Sequence, residues 1–283
     1  MILIRESVSI ARLTSFQNQG SVSKVSVFET VADIQDFLKQ DRPFFILGKG
    51  SNTVVDSSCQ SRDFVQVSPN FSQPVCDGDL LRVGGAVSVS QLMAICQGYA
   101  LSGLEFCAGV PASVGGMVAM NFGCWGRSFS DVVSRVRVVS RDWDRWLPAA
   151  SLEFGYRSSI FHREPWVVVE AEFLCQHDLS DKIRDRVHEI VRDRVSKQPL
   201  RAKTFGSIFK NPEGGYAATI LEECGYKGRT YGGVQLSDQH ANFMVNNGEG
   251  TYQEVADFIA QIQSEVLRIK GVLLEPEVKL LTC

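Results

Sequence analysis

The order of apolar and polar positions divides the chain into short strands and capped helices. Phe44-Phe45-Ile46-Leu47 is an apolar run that ends in Gly48-Lys49-Gly50-Ser51-Asn52, which predicts a buried strand entering a glycine turn. Upstream, Thr30 and Asp33 read as a capping box for a helix reaching about Lys39. Leu80 to Val83 predicts a strand, and Ser88 or Ser90 caps a helix to about Tyr99. Between Val132 and Val139, Arg135 and Arg137 alternate with valines, the period of a half-exposed strand. Trp166 to Phe173 predicts a more buried one. Ile183, Val187, Ile190, Val191 and Val195 share one face of a charged helix from about Ser180 to Lys197. Lys197-Gln198-Pro199 ends that helix and marks a candidate domain boundary. Beyond it come a helix from Ala217 to Cys224 stopped by Gly225, a strand from Asn242 to Asn246, and a long helix capped by Thr251 and Glu254. The apolar face of that last helix is Val255, Phe258, Ile259, Ile262, Val266 and Ile269, Gly271 follows it, and Val278 to Leu281 forms a final strand. There is no internal repeat, and the mixture is α+β.

Composition narrows the function classes. A chain of 283 residues suits roughly two domains. The net charge of -3 gives no basic field for nucleic acid or membrane binding. The first residues, Met1 to Ala11, carry Arg5 and Glu6 and lack the apolar core of a signal peptide. Eight cysteines (Cys59, Cys76, Cys96, Cys107, Cys124, Cys175, Cys224 and Cys283) include no C-x-x-C pair, so reduced thiols in a cytosolic protein and no metal site are expected. Between Val83 and Gly126 the only charge is Glu105. Small and polar residues break this stretch well short of the ~20 apolar residues of a membrane span. It suggests backbone packed around something large and buried.

Four segments could carry chemistry. Gly48-Lys49-Gly50-Ser51-Asn52-Thr53 follows a strand, so its backbone N–H groups could form a nest for a diphosphate, with the Ser51, Asn52 and Thr53 side chains adding hydrogen bonds. It is neither a Walker loop nor G-x-G-x-x-G. The stretch through Gly109, Pro111, Ala112, Ser113, Gly115 and Gly116 to Asn121, Gly123 and Gly126 is uncharged and rich in glycine, as a flat, hydrogen-bonding cofactor ring requires. In Phe154-Gly155-Tyr156-Arg157-Ser158-Ser159 one guanidinium stands among aromatic and hydroxyl groups, where it could clamp a carboxylate bidentately. Glu277 opens an apolar strand, where a carboxylate is costly unless paired or functional. With these goes Gly206-Ser207-Ile208-Phe209-Lys210-Asn211-Pro212, whose hydroxyl could donate a proton. Each segment alone is equally an ordinary turn, surface arginine or strand end.

Together and in this order, the segments resemble the UDP-N-acetylenolpyruvoylglucosamine reductase family of bacterial cell-wall synthesis. So do Lys197-Gln198-Pro199, Gly225-Tyr226-Lys227-Gly228-Arg229 and the run from Gly232 through Asp238-Gln239-His240-Ala241-Asn242-Phe243. The resemblance covers nearly the whole chain. The short spacings around Ser207 match the compact subclass, which lacks an extra substrate-covering loop. Gly20-Ser21 departs from the Gly-Gly usual there.

The resemblance implies a vanillyl-alcohol-oxidase-like (PCMH-type) FAD domain of two lobes, residues 1–67 and 68–177, followed by an α+β substrate-binding domain, 178–283. Its last strand, near 277–281, would return towards the flavin. It implies non-covalent FAD, with Arg194 on the flavin side, and NADPH as reductant. The implied substrate is UDP-N-acetylglucosamine enolpyruvate, with Tyr156, Lys197, Asn211, Lys227 and His240 on the substrate side. The sequence identifies no protein partner. In the implied reaction, hydride from the flavin reaches the terminal carbon of the enolpyruvyl ether. Arg157 and Glu277 stabilise the resulting enediolate, and Ser207 protonates the adjacent carbon. Glu277 would need a raised pKa or a shared proton to avoid repelling that charge. Another FAD oxidoreductase of the same fold, or a non-catalytic FAD- or UDP-sugar-binding protein, shares the segments and stays open at this point.

Overall fold

The structure, a computed structural model, describes residues 2–282. The chain forms two compact units. The first holds the residues up to Arg5, Val25–Lys49 and Asp63–Asp193; the second holds Glu6–Lys24, Gly50–Arg62 and the residues from Arg194 onward.

In the first unit, α1 (Val31–Leu38) begins at the expected capping box, with Asp33 N donating to Thr30 Oγ1 and Thr30 N donating back to Asp33. Its buried face of Ile34, Phe37 and Leu38 packs with Phe28, Val65, Val139, Val167 and Val169. Beside it the strands are parallel: Val25 lies opposite Phe64, and Phe45 opposite Phe64 on the other edge. A larger core lies against an antiparallel five-stranded sheet ordered Asp144–Pro148, Val133–Val139, Val167–Leu174, Leu80–Gly84, Val75–Asp77. Leu81, Val83, Val136, Val138, Ala171 and Phe173 from this sheet pack with α2 (Val89–Gly98), which Ser88 caps, and α3 (Val114–Ala119). Ile183, Val187, Ile190 and Val191 of α4 (Ser180–Lys197) turn inward, the last three onto the same core.

The alternation of Arg135 and Arg137 with valine has a direct cause. The valines enter the core, while Arg135 pairs with Glu172 at 2.8 Å and Arg137 with Asp144 at 2.7 Å and Glu170 at 2.8 Å. Glu170 and Glu172 are buried, and such carboxylates persist there because each meets a guanidinium. Glu105, the lone charge of its stretch, is likewise paired. Burial works against its charge, but bonds from Gly103 N, Ser102 and Arg186 outweigh burial and hold its carboxyl below the usual range.

The second unit contains a four-stranded antiparallel sheet ordered Thr204–Ser207, Phe243–Asn246, Val234–Leu236, Thr230–Tyr231. Against it pack α5 (Ala217–Glu223) and α6 (Tyr252–Lys270), with Phe16, Phe205, Tyr226 and Phe258 in one core. Thr251 and Glu254 cap α6 as expected, and Gly271 ends it in the left-handed region. Strand Lys279–Leu281 runs parallel to strand Thr53–Val55, with Leu280 opposite Val54.

Three expectations need correcting. Val195 and Ile269 are 39% and 45% exposed, since each lies in the last turn of its helix, past the final residue that reaches the core. The expectation of reduced thiols fails at Cys59, which is buried and disulfide-bonded; Cys76, Cys96, Cys107, Cys124, Cys175 and Cys224 keep reduced thiols, and Cys283 lies outside the described residues. Burial raises the thiol of Cys175 to about 12, so it stays protonated at neutral pH.

Candidate active site

Arg157 sits on a tight turn of the first unit. Gly155 and Ser158 exchange backbone hydrogen bonds of 3.0 and 3.3 Å. Arg157 itself has φ 53°, a left-handed conformation that is uncommon for a residue with a side chain and that clusters at functional sites. Two side-chain bonds hold the turn in place. Asn121 Nδ2 donates to Gly155 O at 2.9 Å while its Oδ1 accepts from Ser130 N at 2.9 Å, and Ser159 Oγ donates to Ala119 O at 2.6 Å. The guanidinium carbon lies 5.2 Å from the Tyr156 ring and 5.8 Å from the Phe122 ring, within cation–π range. Tyr156 is 55% exposed.

The glycine-rich stretch meets the 44–48 strand and turn in this same unit. A Cβ at Gly48 would lie 2.4 Å from Ser113 Oγ and 4.0 Å from the Gly116 backbone, and one at Gly115 would lie 3.2 Å from Gly85 O. Bare backbone therefore faces bare backbone, with Ser113 buried between. Ala112 and Asn121 are buried, Gly115, Gly116 and Gly123 half-buried, Pro111 and Lys49 exposed.

In the second unit the remaining segments converge. Gly50, with φ 61°, lies against the 13–14 backbone so closely that a Cβ would be 2.2 Å from Leu13 O. Asn52 Nδ2 donates to Glu277 O at 3.0 Å, and Lys279 N donates to Asn52 O at 2.9 Å. Glu277 N donates to Ile208 O at 2.8 Å, next to Ser207. Gly206, at φ 84°, brings the serine turn within 3.8 Å of Ser51 O, measured from a Cβ placed on the glycine. The loop at 50–53, Ser207 and Glu277 are thus neighbours, although more than 220 residues separate the first from the last in sequence. Thr53 Oγ1 is buried without a hydrogen-bond partner.

The expected substrate-side residues divide. His240 stands near Lys227 and Glu222, whose charges act on it. Lys227 is exposed and pairs with Glu222 at 2.9 Å. Asn211 is exposed, and its Oδ1 accepts from Ala217 N at 3.1 Å, at the start of α5. Lys197 is exposed, and Arg194 is buried, with its Nη1 3.5 Å from Gln198 Oε1.

Residues 198–281 match the family model described as "UDP-N-acetylenolpyruvoylglucosamine reductase, C-terminal domain", and residues 23–142 match "FAD binding domain". The chain is similar to the UDP-N-acetylenolpyruvoylglucosamine reductase of Clostridium botulinum (strain Eklund 17B / Type B), at 34% identity over 98% of this chain and 93% of the relative. The enzyme of the same name from Clostridioides difficile is 34% identical over 89% and 84%. The chain belongs to the UDP-N-acetylenolpyruvoylglucosamine reductase family. Its fold is similar to the crystal structure of the Thermus caldophilus UDP-N-acetylenolpyruvylglucosamine reductase, with TM-score 0.85 and 28% identity over 99% of both chains. The α+β, FAD-binding fold expected from the sequence is therefore correct.

The residues present fit the FAD that this family's fold implies. In the first unit Gly48, Gly115 and Gly116 bring uncharged backbone close around Ser113, whose hydroxyl makes no capping bond, and such a wall of backbone and hydroxyl groups suits a flat or phosphorylated group. Among the described residues no cluster of His, Cys, Asp or Glu could hold a metal ion, and no helix is long and apolar enough to cross a membrane.

His240 has a defined state. Burial lowers its pKa, and its Nδ1 accepts from Asn242 N at 3.3 Å, so the ring is neutral at pH 7 with its proton on Nε2. The unfolded chain takes up this proton near pH 6.5 while the folded chain resists it. Stability is therefore fully present above about pH 6.5 and falls as pH drops towards the folded value. Thermal unfolding is expected to show a component of acid sensitivity in this window that His240→Asn removes.

Proposed function

We propose that this chain reduces the enolpyruvyl ether of UDP-N-acetylglucosamine enolpyruvate to UDP-N-acetylmuramate, a cytoplasmic step in peptidoglycan precursor synthesis, using electrons from NADPH. FAD, when bound, would supply hydride chemistry, and the terminal carbon of the enolpyruvyl group would be its acceptor. The observation that carries the residue assignment is the convergence of Ser207, Glu277 and Asn52 through paired backbone. A proton donor and a carboxyl group held close by the backbone bond from Glu277 N to Ile208 O suit a reaction that places charge on one carbon and then protonates it.

Arg157 supplies fixed positive charge for the enediolate that forms on the substrate. Ser207 gives its proton to the carbon beside the carboxylate and is reprotonated from solvent. Its hydroxyl is a weak acid, and the strong basicity of that carbon makes it sufficient when it lies within hydrogen-bond reach. Residues up to 67 and 68–177 form the two cofactor lobes in this reading, and 178–283 the substrate domain. Gly48, Lys49, Gly50, Ser51, Asn52, Thr53, Pro111, Ala112, Ser113, Gly115, Gly116, Asn121, Gly123 and Arg194 are the cofactor-side residues of this reading. Tyr156, Lys197, Asn211, Lys227 and His240 face the UDP-sugar, His240 as a neutral donor through Nε2.

Glu277 acts with a proton on its carboxyl or shared with the substrate, because a bare carboxylate would oppose the enediolate. Glu277→Gln, which keeps a neutral donor, is therefore expected to retain at least about tenfold more kcat than Glu277→Ala. The reverse order would remove the donor role. The reading as a whole is tested by incubating the purified protein with NADPH and UDP-N-acetylglucosamine enolpyruvate. Mass spectrometry should show a product two mass units heavier, since one hydride and one proton are added; no product with FAD bound would contradict it.

A further inference from the structure

Asn242 is only 3% exposed and lies between apolar neighbours, Ala241 and Phe243. An amide in such a place costs free energy unless its donors and acceptors are used. Both ends are used on a single residue. Asn242 Nδ2 donates to Phe209 O at 2.8 Å, and Asn242 Oδ1 accepts from Phe209 N at 3.0 Å. The backbone carbonyl of Asn242 adds a third bond, accepting from Ile208 N at 2.9 Å.

The pairing explains why an amide stands there. Strand Thr204–Ser207 pairs with Phe243–Asn246 through an irregular register that ends at Ser207 opposite Phe243. Past that point no regular ladder serves Phe209, which is 1% exposed and has both backbone polar groups to satisfy. The Asn242 side chain has the same donor and acceptor as a peptide group and takes the place of the missing strand neighbour. On its other side the segment is held by the last part of the chain. Glu277 N donates to Ile208 O at 2.8 Å, Lys210 N donates to Glu275 O at 2.9 Å, and Phe209 is bridged to Pro276. The segment 207–210 is thus fixed between Asn242 on one side and 275–278 on the other.

We infer that Asn242 is a positioning residue for the proton-transfer step: its side-chain amide replaces a strand neighbour of Phe209 and so sets where Ser207 stands relative to Glu277. The inference rests on the reading of Ser207 as donor. Loss of the amide leaves two buried backbone groups of Phe209 unpaired. The segment then shifts to find partners, and a displacement of about 1 Å at the donor is enough to slow the step by about 100-fold. Hydride acceptance from NADPH involves neither Ser207 nor Glu277 and should be untouched.

The test separates the two half-reactions in the FAD-bound protein by stopped-flow absorbance, using wild type, Asn242→Ala, Asn242→Asp and Ser207→Ala. In both Asn242 variants we expect flavin reduction by NADPH within twofold of wild type. Reoxidation by UDP-N-acetylglucosamine enolpyruvate should be slowed about 10- to 100-fold, with a larger solvent deuterium effect than in wild type. Asn242→Asp has nearly the native volume and serves if the alanine variant does not fold. Its carboxylate can accept from Phe209 N but has no proton for Phe209 O, so its reoxidation rate relative to wild type should rise as the pH is lowered. Equal losses in both half-reactions, or normal reoxidation in the Asn242 variants while Ser207→Ala is blocked, would overturn the positioning role. Normal reoxidation by Ser207→Ala would overturn the donor assignment and the role of Asn242 with it.

Discussion

Ser207→Ala is expected to accept electrons from NADPH at the wild-type rate and then to reduce the enolpyruvyl substrate about 10³-fold more slowly. The physical reason lies in how little else can supply the proton. Ser207 follows Gly206, whose positive φ of 84° accompanies the register irregularity between Thr204 and Ser207. Its neighbours Ile208 and Phe209 are buried, so the serine is the polar group that opens onto an apolar pair at the end of its strand. Lys210 is committed to the Glu275 carboxylate at 2.6 Å, and the Glu275 backbone carbonyl accepts from Lys210 N at 2.9 Å. Alanine removes the hydroxyl and leaves the backbone bonds in place, so stability and FAD content should be preserved. Stopped-flow measurement of the two half-reactions checks this. Loss of flavin reduction as well would mean the residue acts elsewhere in the cycle.

Arg157→Lys is expected to lower kcat by about 100-fold, although the charge is kept. The turn that carries Arg157 has three restraints: the Gly155–Ser158 backbone pair, the Asn121 amide and the Ser159 hydroxyl. The left-handed backbone at Arg157 is disfavoured for a residue with a side chain, and such strain persists only where surrounding bonds over-determine it. The side chain is further limited by the Tyr156 and Phe122 rings, which suit a flat guanidinium better than a compact ammonium. Lysine would keep a point charge and lose the planar fork that meets a carboxylate with two parallel bonds. Steady-state kinetics on the lysine variant decide the matter. A kcat within threefold of wild type would mean that charge alone suffices and that the geometry of the turn has another purpose.

The helices were legible in the sequence because their signals are local. Thr30 with Asp33, Ser88 with Gln91 and Thr251 with Glu254 form the reciprocal caps that place α1, α2 and α6. Gly225 and Gly271 stop α5 and α6 with positive φ, as a left-handed C-terminal residue should. Non-local pairing was not legible. Strands Leu3–Ser9 and Ser21–Phe28 carry polar residues at most alternate positions and gave no apolar run to recognise. The parallel register of Thr53–Val55 on Lys279–Leu281 depends on pairing between segments at opposite ends of the chain, which no local pattern encodes.

The site shows the same division. The segments that carry it could be found from residue type, but the bonds among them could not. The Asn52 hydrogen bond to Glu277 O, the Asn121 hydrogen bond to Gly155 O and the two hydrogen bonds between the Asn242 amide and the Phe209 backbone are side-chain amides used on distant backbone. In the sequence these asparagines look like ordinary turn or ligand-facing residues. The signal available for Asn242 was an amide set between Ala241 and Phe243 in an apolar strand, which requires a buried partner without naming it.

The central claim is that this protein passes electrons from NADPH through bound FAD to the enolpyruvyl group of a UDP-sugar. The most direct measurement is to reduce the bound flavin anaerobically with NADPH, add UDP-N-acetylglucosamine enolpyruvate, and follow the flavin absorbance. We predict rapid reoxidation with formation of UDP-N-acetylmuramate. A flavin that is reduced by NADPH but stays reduced in the presence of the enolpyruvate would contradict the claim.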